Sequence, residues 1–478
     1  MLTWTKYSVG TGDITMQKKL KISPALRNVV KISGGTILGQ AISIVTLPII
    51  TRMYGAEIMG IWATILSVSL IVQAVCDMGI SSGLMLEETD RGVDDLYRVI
   101  STISMIICLI AGICVFPYFK FIKMEGVFDA LLQSFLVTVY AFTVKQVNTC
   151  YTWLNRYKKY NILMLNPVIN YVTVAVFAIG FAILGNTKYG YFIAVILGQV
   201  LTVLNMKRQV PKRMFCFELK QFQYALKKYG DLVKFQLPNN CLLQVRDQLP
   251  SLLIGTFFGN TVLGYYSVSV KILNMPVSFI GQAVGKVFYQ TISEMQRMGE
   301  QIGDYVERNF NRAINLAYFP VLGLFAVGDI AAVLFFGREY VEAGTFLRIV
   351  VFQTFFMFVI TCTQGLEIVL RKQKYSLIST VVQSIFIVIS IYVGKLADNV
   401  CISIILMVCV YCVIQVVYYT KLFDVMNKSM KPYIKKMVGC LVSIALIAIV
   451  VRFGCKAVID RFDIEILNWF NVGLSFRN

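Results

Sequence analysis

Histidine is absent from all 478 residues of the sequence. This absence removes the side chain that most often acts as a general base near neutral pH and as a nitrogen ligand for metals. A Gly-rich loop of the Walker type is also missing, so we do not expect the chain to hydrolyse a nucleotide. Charged residues make up only 15% of the chain, against roughly 25% in a soluble domain. A soluble enzyme built around histidine or a nucleotide is therefore not the expected class.

Cysteine is present, but it does not indicate a cofactor. Most of the twelve cysteines lie inside apolar runs. Cys409 and Cys412 make a C-x-x-C spacing within the apolar run 400–419, where thiols behave as small apolar side chains. We therefore expect no disulfide framework, no zinc or redox pair and no resident cofactor.

Long hydrophobic runs dominate the chain. Hydrophobic residues make up 57% of it and the mean hydropathy is +0.69. A transmembrane helix needs about 20 mostly apolar residues, and the sequence contains many such runs. A membrane β-barrel would need alternating strands, and runs such as 380–393 do not alternate. The predicted fold class is an all-α integral membrane protein with almost nothing outside the bilayer.

The predicted spans form two groups of six, followed by one more. They lie near residues 30–51, 58–86, 97–117, 130–152, 161–184 and 189–206, then 232–258, 263–291, 312–336, 343–370, 375–394 and 400–420, and finally 434–451. The predicted domains are an N-terminal segment (1–29), an N-lobe (30–206), an amphipathic linker (207–230), a C-lobe (231–420) and a C-terminal extension (421–478). The N-terminal segment lacks the apolar core of a signal peptide, so the first span is expected to stay in the mature protein.

Basic residues are distributed unevenly between alternate loops. If the N-terminus is cytoplasmic, the inner segments hold 28 lysines and arginines and the outer loops hold six. Such an excess over short loops predicts a single orientation. We therefore expect a cytoplasmic N-terminus and a cytoplasmic linker. The net charge of +19 is spread along the chain, which argues against a nucleic-acid partner.

The two halves share a sequence pattern. Residues 47–63 read LPIITRMYGAEIMGIWA, and residues 249–267 read LPSLLIGTFFGNTVLGYYS. Gly55 and Gly60 in the first correspond to Gly259 and Gly264 in the second, offset by 204 residues. Since six spans separate them, both patterns start from the same side of the membrane. This predicts two six-helix lobes related by a pseudo-twofold axis along the membrane normal, with one or two extra C-terminal helices.

The same residues carry a family resemblance. The stretch 32–83, with ISGGTILGQ, LPIITRMYGAEIMGIWATILSV and DMGISSG, resembles the start of bacterial polysaccharide and O-antigen flippases. The segments LPSLLIGTFFGNTVLGYYSVSVKILNMPVSFIGQAV and WLNRYKKY are also similar to this family, which belongs to the multidrug/oligosaccharidyl-lipid/polysaccharide exporter superfamily. The resemblance implies two lobes around a central cavity and flipping of an undecaprenyl-diphosphate-linked oligosaccharide across the bacterial inner membrane. Other polysaccharide-assembly membrane proteins are then expected partners. A thirteenth span departs from the family's usual twelve or fourteen.

Charged residues inside predicted spans are the candidate site residues, because an ionised side chain at mid-bilayer costs ~2.5–3.5 kcal/mol unless it meets water or a partner. The candidates for holding the diphosphate are the cations Lys145, Arg246, Lys271 and Lys286. The candidates for binding a coupling proton or sodium ion are the acids Asp77, Asp247 and Glu367. Pairing between helices remains the alternative for each of them.

Three further expectations concern the partners and the exposure of charged residues in the spans. Arg246 and Asp247 are about 100° apart on a helix, so they are expected to be poor partners for each other. Glu367 is favoured for ion coupling because Thr361, Thr363 and Gln364 lie nearby, and a pair with Arg371 is its alternative. Arg348 and Asp329 lie near span ends, where Arg348 could extend its charge to the surface.

Two other functions are alternatives to flipping of a lipid-linked oligosaccharide. A cation-coupled multidrug exporter of the same fold would favour an acidic, aromatic pocket, whereas intramembrane cations outnumber acids here. A membrane polysaccharide polymerase or ligase would need a large outer loop, and the longest predicted outer loop is 118–129. The favoured hypothesis is a non-enzymatic flippase working by alternating access.

The predicted orientation can be tested by labelling single cysteines introduced at Gln221 and Thr187 in a cysteine-free background. We expect a membrane-impermeant thiol reagent to label position 187 on intact cells, and position 221 only after the membrane is permeabilised. Labelling of position 221 from outside intact cells would overturn the orientation.

Overall fold

The computed structural model describes residues 24–462, with side-chain detail for residues 34–458. The described chain is helical, and no strand occurs within these bounds. The helices of the first half are α1 (Pro24–Val75), α2 (Gly83–Leu86), α3 (Asp90–Pro117), α4 (Val127–Arg156), α5 (Tyr160–Ile183), α6 (Gly190–Lys207) and α7 (Leu219–Lys228). Those of the second half are α8 (Leu237–Phe257), α9 (Asn260–Pro276), α10 (Gln282–Arg297), α11 (Gly303–Phe336), α12 (Val341–Cys362), α13 (Leu366–Val369), α14 (Gln373–Leu396), α15 (Val400–Val425) and α16 (Lys431–Phe462).

Ten helices in the described part of the chain are long and apolar enough to cross a membrane. One of them, α1, makes two crossings, because Gly55 adopts a non-helical conformation with φ 72° and ψ 171°. The more polar α8 and the continuous α9–α10 stretch lie where the seventh and eighth spans were predicted. A helix therefore occupies each of the thirteen predicted spans. The predicted all-α membrane fold is confirmed.

Two predicted spans are too long. The span predicted at 58–86 ends at Val75, where a turn begins, and the span predicted at 343–370 ends at Cys362. Positive φ angles at Gly79 (77°) and Gly365 (83°) are incompatible with a continuing α-helix. Apolar residues continue past both breaks, so hydropathy alone does not reveal them. As a result, Asp77 and Glu367 lie beyond the ends of their long helices.

The sequence repeat corresponds to a structural one. Gly259 (φ 90°, ψ 172°) breaks the chain between α8 and α9 in the same backbone conformation as Gly55. Where α1 crosses α9, a Cβ on Gly60 would overlap the carbonyl of Asn260, and a Cβ on Gly264 would overlap the carbonyl of Ala56. The offset of 204 residues takes Gly60 to Gly264 and Ala56 to Asn260, so each contact is the counterpart of the other in the opposite half. The predicted correspondence between the halves is therefore confirmed at the crossing that joins them.

Most of the hydrogen bonds between the lobes lie on one side of the membrane, and on the other side Gln236 of the C-lobe donates to Ser82 of the N-lobe over 2.8 Å. We call the side on which α7 lies proximal and the opposite side distal. On the distal side, Lys123 of the N-lobe donates to the carbonyl of Gly255 and, over 2.8 Å, to Oδ1 of Asn260. The hydroxyls of Tyr118 and Thr256 are 3.0 Å apart. Two more bonds cross between lobes, from Arg52 to the Leu334 carbonyl and from Tyr340 to the Thr51 carbonyl. We refer to these contacts as the distal seam.

A buried ion cluster holds α16 against the C-lobe. Arg452 on α16 is 1% exposed, and its guanidinium lies 2.8 Å and 2.9 Å from the two carboxylate oxygens of Asp329 on α11. Arg348 on α12 lies 3.8 Å from the same carboxylate. The sequence expectation that Arg348 extends to the surface is wrong, because its side chain is buried beside Asp329. The thirteenth span therefore packs as part of the C-lobe.

The linker helix α7 is fastened to the N-lobe on the proximal side. Lys228 and Tyr229 donate to the buried carboxylate of Glu87 over 2.8 Å and 2.6 Å. Burial alone would raise the pKa of Glu87, but these two hydrogen bonds outweigh it and lower that pKa. Glu87 is therefore ionised at neutral pH, where the contact between linker and lobe is at full strength.

Candidate functional site

A cavity of about 390 Å³, lined by both polar and apolar side chains, lies between the N-lobe and the α9–α10 stretch. Its N-lobe wall comes from the first arm of α1 and from α4, α5 and α6, and its C-lobe wall comes from residues 278–286. All these segments belong to the proximal halves of their spans. Since the distal seam joins the lobes on the other side, the lobes enclose the cavity with its distal end closed. We call this the central cavity.

Helix packing on small residues shapes both walls. Gly35 and Gly39 bring α1 against Met164 and Pro167 of α5, and Gly285 lies against the carbonyl of Thr361 on α12. A Cβ at any of these three glycines would collide with the neighbouring helix. The Gly-x-x-x-Gly motifs at 35–39 and 281–285 thus permit close helix approach, as the sequence predicts.

Two of the predicted cations occupy the helix that forms the C-lobe wall. Lys286 lines the central cavity. Lys271, fifteen residues earlier and so about 22 Å away along the helix, is exposed although protein atoms surround it densely. We infer that a side chain with both properties lies in a cleft between helices, because an ammonium that faces lipid would be costly. Neither ammonium lies within 4 Å of a carboxylate among the described residues. Both are therefore available to an anionic ligand.

Lys145 and Asp77 are joined to each other instead. Lys145 on α4 is 7% exposed, and its Nζ lies 2.7 Å from a carboxylate oxygen of Asp77 in the turn after α1. Ser81 donates its hydroxyl to Asp77 and accepts from Lys145 over 3.2 Å. In this conformation the pair links α4 to the turn, which is the interhelix alternative considered for both residues. The structure does not bring Lys145 to the wall of the central cavity.

Arg246 and Asp247 are also partners, so the expectation that they are poor partners is wrong. The guanidinium of Arg246 lies 2.7 Å and 2.8 Å from Oδ1 of Asp247. An arginine side chain is long enough to curl around the helix, so an angular separation of about 100° does not prevent the contact. Arg246 also lies 3.3 Å from the hydroxyl of Thr380 on α14. Arg246 is not among the residues that line the central cavity.

Asp247 lies near the middle of the seventh span with its side chain 50% exposed. A half-exposed carboxylate at that depth is costly against acyl chains, even beside a cation. We infer that it faces water between the helices. Of the three candidate acids, it combines depth in the membrane with accessibility.

Glu367 lies outside the long tenth-span helix, on the short proximal helix α13. No ion pair joins it to Arg371 within the described residues, so the structure does not support that alternative. The hydroxyls of Thr361 and Thr363 donate to carbonyls of their own helix turn. The predicted set of oxygens around Glu367 is therefore not assembled in this conformation.

Several polar residues of the structure were not singled out from the sequence. Asn166 lines the central cavity and is 4% exposed, Lys123 holds the distal seam, and Arg452 joins Asp329. An asparagine inside an apolar run was a usable signal for Asn166. No such signal marks Lys123 or Arg452, because each lies near a predicted span boundary, where basic residues are common.

The central cavity has a composition that limits its chemistry. Neutral polar side chains make up most of its lining, Lys286 adds a positive charge, and no carboxylate is among the described lining residues. Ammonium groups and amides satisfy phosphate and hydroxyl oxygens. The cavity suits an anionic or hydroxyl-rich ligand better than an organic cation.

A family model described as polysaccharide biosynthesis protein matches residues 49–345, more than half of the chain. The chain belongs to the polysaccharide biosynthesis protein family. The match includes the Gly55 and Gly259 breaks, the α1–α9 crossing and the C-lobe wall of the central cavity. The family resemblance drawn from the sequence is thus confirmed.

One relative is the teichuronic acid biosynthesis protein TuaB of Bacillus subtilis (strain 168), 23% identical over 295 residues. The aligned part is 59% of this chain and 58% of TuaB. The chain therefore matches a little over half the length of this relative.

Solved structures share the fold. The lipid II flippase MurJ in an inward closed conformation superposes with a TM-score of 0.70 and 14% identity, covering 88% of this chain and 92% of MurJ. A MATE-family multidrug resistance transporter of the MOP superfamily, in an inward-facing conformation, gives a TM-score of 0.58 and 17% identity over 84% of this chain and 99% of its own. At such identities the likeness concerns the fold. This member of the polysaccharide biosynthesis protein family is a multi-pass membrane protein with a transporter fold.

Proposed function

We propose that the protein flips an undecaprenyl-diphosphate-linked oligosaccharide, such as a repeat unit of an O-antigen or of a capsular or exopolysaccharide, from the cytoplasmic to the outer leaflet. The observation that carries the proposal is the central cavity. Its lining includes many hydrogen-bonding side chains, it lies between two lobes, its distal end is closed and Lys286 in its wall has no carboxylate partner among the described residues. Family membership in polysaccharide biosynthesis supports a saccharide cargo.

The positions of the lysines suggest a path for the diphosphate. Lys286 lies in the proximal half of the eighth span, and Lys271 lies about four turns further toward the distal side. The diphosphate would bind Lys286 first and pass to Lys271 as the cavity opens distally. Lys145 and Arg246, which are already paired, would contribute only if those pairs open in another conformation.

Alternating access requires the distal seam to break. In the proposed cycle the hydrogen bonds of Lys123 and Tyr118 to the C-lobe are released, and the lobes close further over the proximal end, where Gln236 already bonds to Ser82. A ligand drives such a change only by binding the two states with different affinities. With the orientation expected from the basic residues, the proximal side would face the cytoplasm. In the bacterial inner membrane, other polysaccharide-assembly membrane proteins would supply and receive the cargo.

The rival functions fit the geometry less well. A multidrug exporter for organic cations would use carboxylates in its cavity, and the described lining has none. A polymerase or ligase would need a large distal loop, whereas the described distal connections, such as 184–189 and 397–399, are short. We therefore propose a transporter and not an enzyme.

Substitution of Lys286 tests the proposal. Removing a charged donor to phosphate loses about 1.5–3 kcal/mol, so Lys286→Gln should bind an undecaprenyl-diphosphate-linked saccharide roughly 10- to 100-fold more weakly and flip it more slowly. Lys286→Arg should retain much of the activity. The measurement is flipping of a fluorescent lipid-linked saccharide in proteoliposomes, with binding measured in nanodiscs.

Lys159→Gln is the matched control, because Lys159 is an exposed proximal lysine outside the cavity. It should behave as wild type. Unchanged flipping and binding in Lys286→Gln would contradict the proposed role of the cavity. Transport of cationic drugs with no response to the lipid-linked saccharide would favour the exporter.

We also propose Asp247 as the site of the coupling proton or sodium ion, in preference to Asp77 and Glu367, because of its depth and its exposure. The ion would bind when the pair of Asp247 with Arg246 opens. Asp247→Asn should remove the response of flipping to an imposed ion gradient, while Glu367→Gln should retain it. The same proteoliposomes, with and without the gradient, give the comparison. A full gradient response in Asp247→Asn would exclude this residue as the coupling site.

A further inference from the structure

The N-lobe wall of the central cavity is rich in side chains that can both donate and accept hydrogen bonds. Six of them come from α1, α5 and α6: Gln40, Asn166, Asn170, Tyr171, Gln199 and Thr202. None is a carboxylate or a cation. The C-lobe wall differs, because it carries Lys286. The two walls of the cavity therefore offer different chemistry to a ligand that touches both.

Two interhelix contacts arrange part of this wall. Nδ2 of Asn205 on α6 donates to Oδ1 of Asn166 on α5 over 3.0 Å. One turn further along, Nδ2 of Asn170 lies 3.5 Å from the hydroxyl of Thr202. Asn166 and Asn170 are four residues apart, so both project from one face of α5. These contacts hold the amides in place at the cavity wall.

Asn166 has a donor that the described protein does not satisfy. Its side chain is 96% buried, and its Nδ2 has no hydrogen-bond partner among the described residues. If the amide were turned over, its oxygen would be the unpaired atom instead, so one polar end is unpaired in either assignment. Buried amides are nearly always paired, and an unpaired one destabilises the protein. Asn166 lines the cavity, but its Nδ2 is covered in this conformation, so a ligand in the cavity would complete it once the amide or a neighbouring side chain turns.

We propose that this N-lobe wall binds the saccharide part of the cargo, with Asn166 as a direct hydrogen-bonding residue. This inference rests on the proposed function and assigns the two ends of the cargo to opposite walls. Sugar hydroxyls donate and accept, which matches amides and hydroxyls, whereas a diphosphate only accepts and matches Lys286. A volume of about 390 Å³ is within the usual range for small-ligand sites.

With the two ends of the cargo on opposite walls, the saccharide contributes to the binding affinity independently of the diphosphate. The N-lobe wall would discriminate between cargoes through their hydroxyls, because a site that hydrogen-bonds a hydroxyl leaves its own buried polar groups unpaired when that hydroxyl is missing. The competing role for the amides is to join α5 to α6, as polar side chains do between membrane helices.

The test compares two probes in nanodiscs: undecaprenyl diphosphate, and undecaprenyl diphosphate carrying one N-acetylhexosamine. We expect wild type to bind the saccharide-bearing probe about tenfold more tightly, which corresponds to one or two good hydrogen bonds. Asn166→Ala should reduce this ratio to near one while leaving the affinity for bare undecaprenyl diphosphate within about twofold. Lys286→Gln should weaken both probes and keep the ratio.

Gln40→Leu is the second variant, because Gln40 lies on α1 and takes no part in the contacts between α5 and α6. It should also lower the ratio, and it keeps the test informative if Asn166→Ala does not fold. Equal binding of both probes by wild type, or a ratio unchanged in both variants, would overturn the inference and leave the proposed function standing. If wild type binds neither probe, the proposed function itself fails.

Discussion

The close crossing of α1 and α9 is the constraint on which the rest of the structure depends. Gly60 lies against the carbonyl of Asn260, and Gly264 lies against the carbonyl of Ala56, so the two backbones meet with no side chain between them. Lipid tails are as apolar as the helices, so close backbone packing is a main source of helix association in a membrane. Because this contact lies toward the distal side, the lobes are joined there and can enclose a cavity toward the proximal side.

Gly55 and Gly259 make that crossing possible. Each adopts a positive φ, where an L side chain is disfavoured, and each ends one membrane crossing and starts the next within a single residue. A longer loop would let the following helix drift away from the crossing. The distal seam, with Lys123 and Asn260, adds hydrogen bonds to this packing. These bonds can break and re-form with other partners, whereas the contact between the glycine backbones cannot.

The pairing of intramembrane charges separates structural residues from residues that can meet a ligand. Asp329 and Arg452 form a buried cluster that holds α16, and Asp77 and Lys145 join α4 to the turn after α1. Each of these groups has its opposite charge supplied by the protein. Lys286 has none among the described residues, so its positive charge remains for a cargo.

The sequence predicted the helices and the repeat well because both depend on local composition. Runs of about 20 apolar residues mark the spans, and Gly55 and Gly259 mark the corresponding turns. It could not predict the ends at Val75 and Cys362, since the backbone turns there without a change in hydropathy.

The candidate site was predicted only in part. Lys286 was found because a cation stands out in a span. Whether a charged side chain forms an ion pair depends on distances in the folded protein, and the spacing of residues along the chain does not reveal these distances. For this reason the Arg246–Asp247 pair was misjudged and Arg452 was overlooked. The role proposed for Asn166 depends on its contact with Asn205 on α6 and on the missing acceptor for its Nδ2, and both are visible only in the folded protein.

The most direct test of alternating access is to lock the distal seam. In a cysteine-free background, Lys123→Cys and Asn260→Cys would be joined by a short, reducible bis-thiol reagent, and flipping of a lipid-linked saccharide would be measured before cross-linking, after it and after reduction. The control joins Lys188→Cys to Asp129→Cys, an exposed distal pair within the N-lobe whose charged atoms are 3.4 Å apart. If the lobes must separate at the seam during transport, cross-linking the seam stops flipping, reduction restores it, and the control cross-link has no effect. Full flipping by the protein with a cross-linked seam would show that the seam does not open during transport.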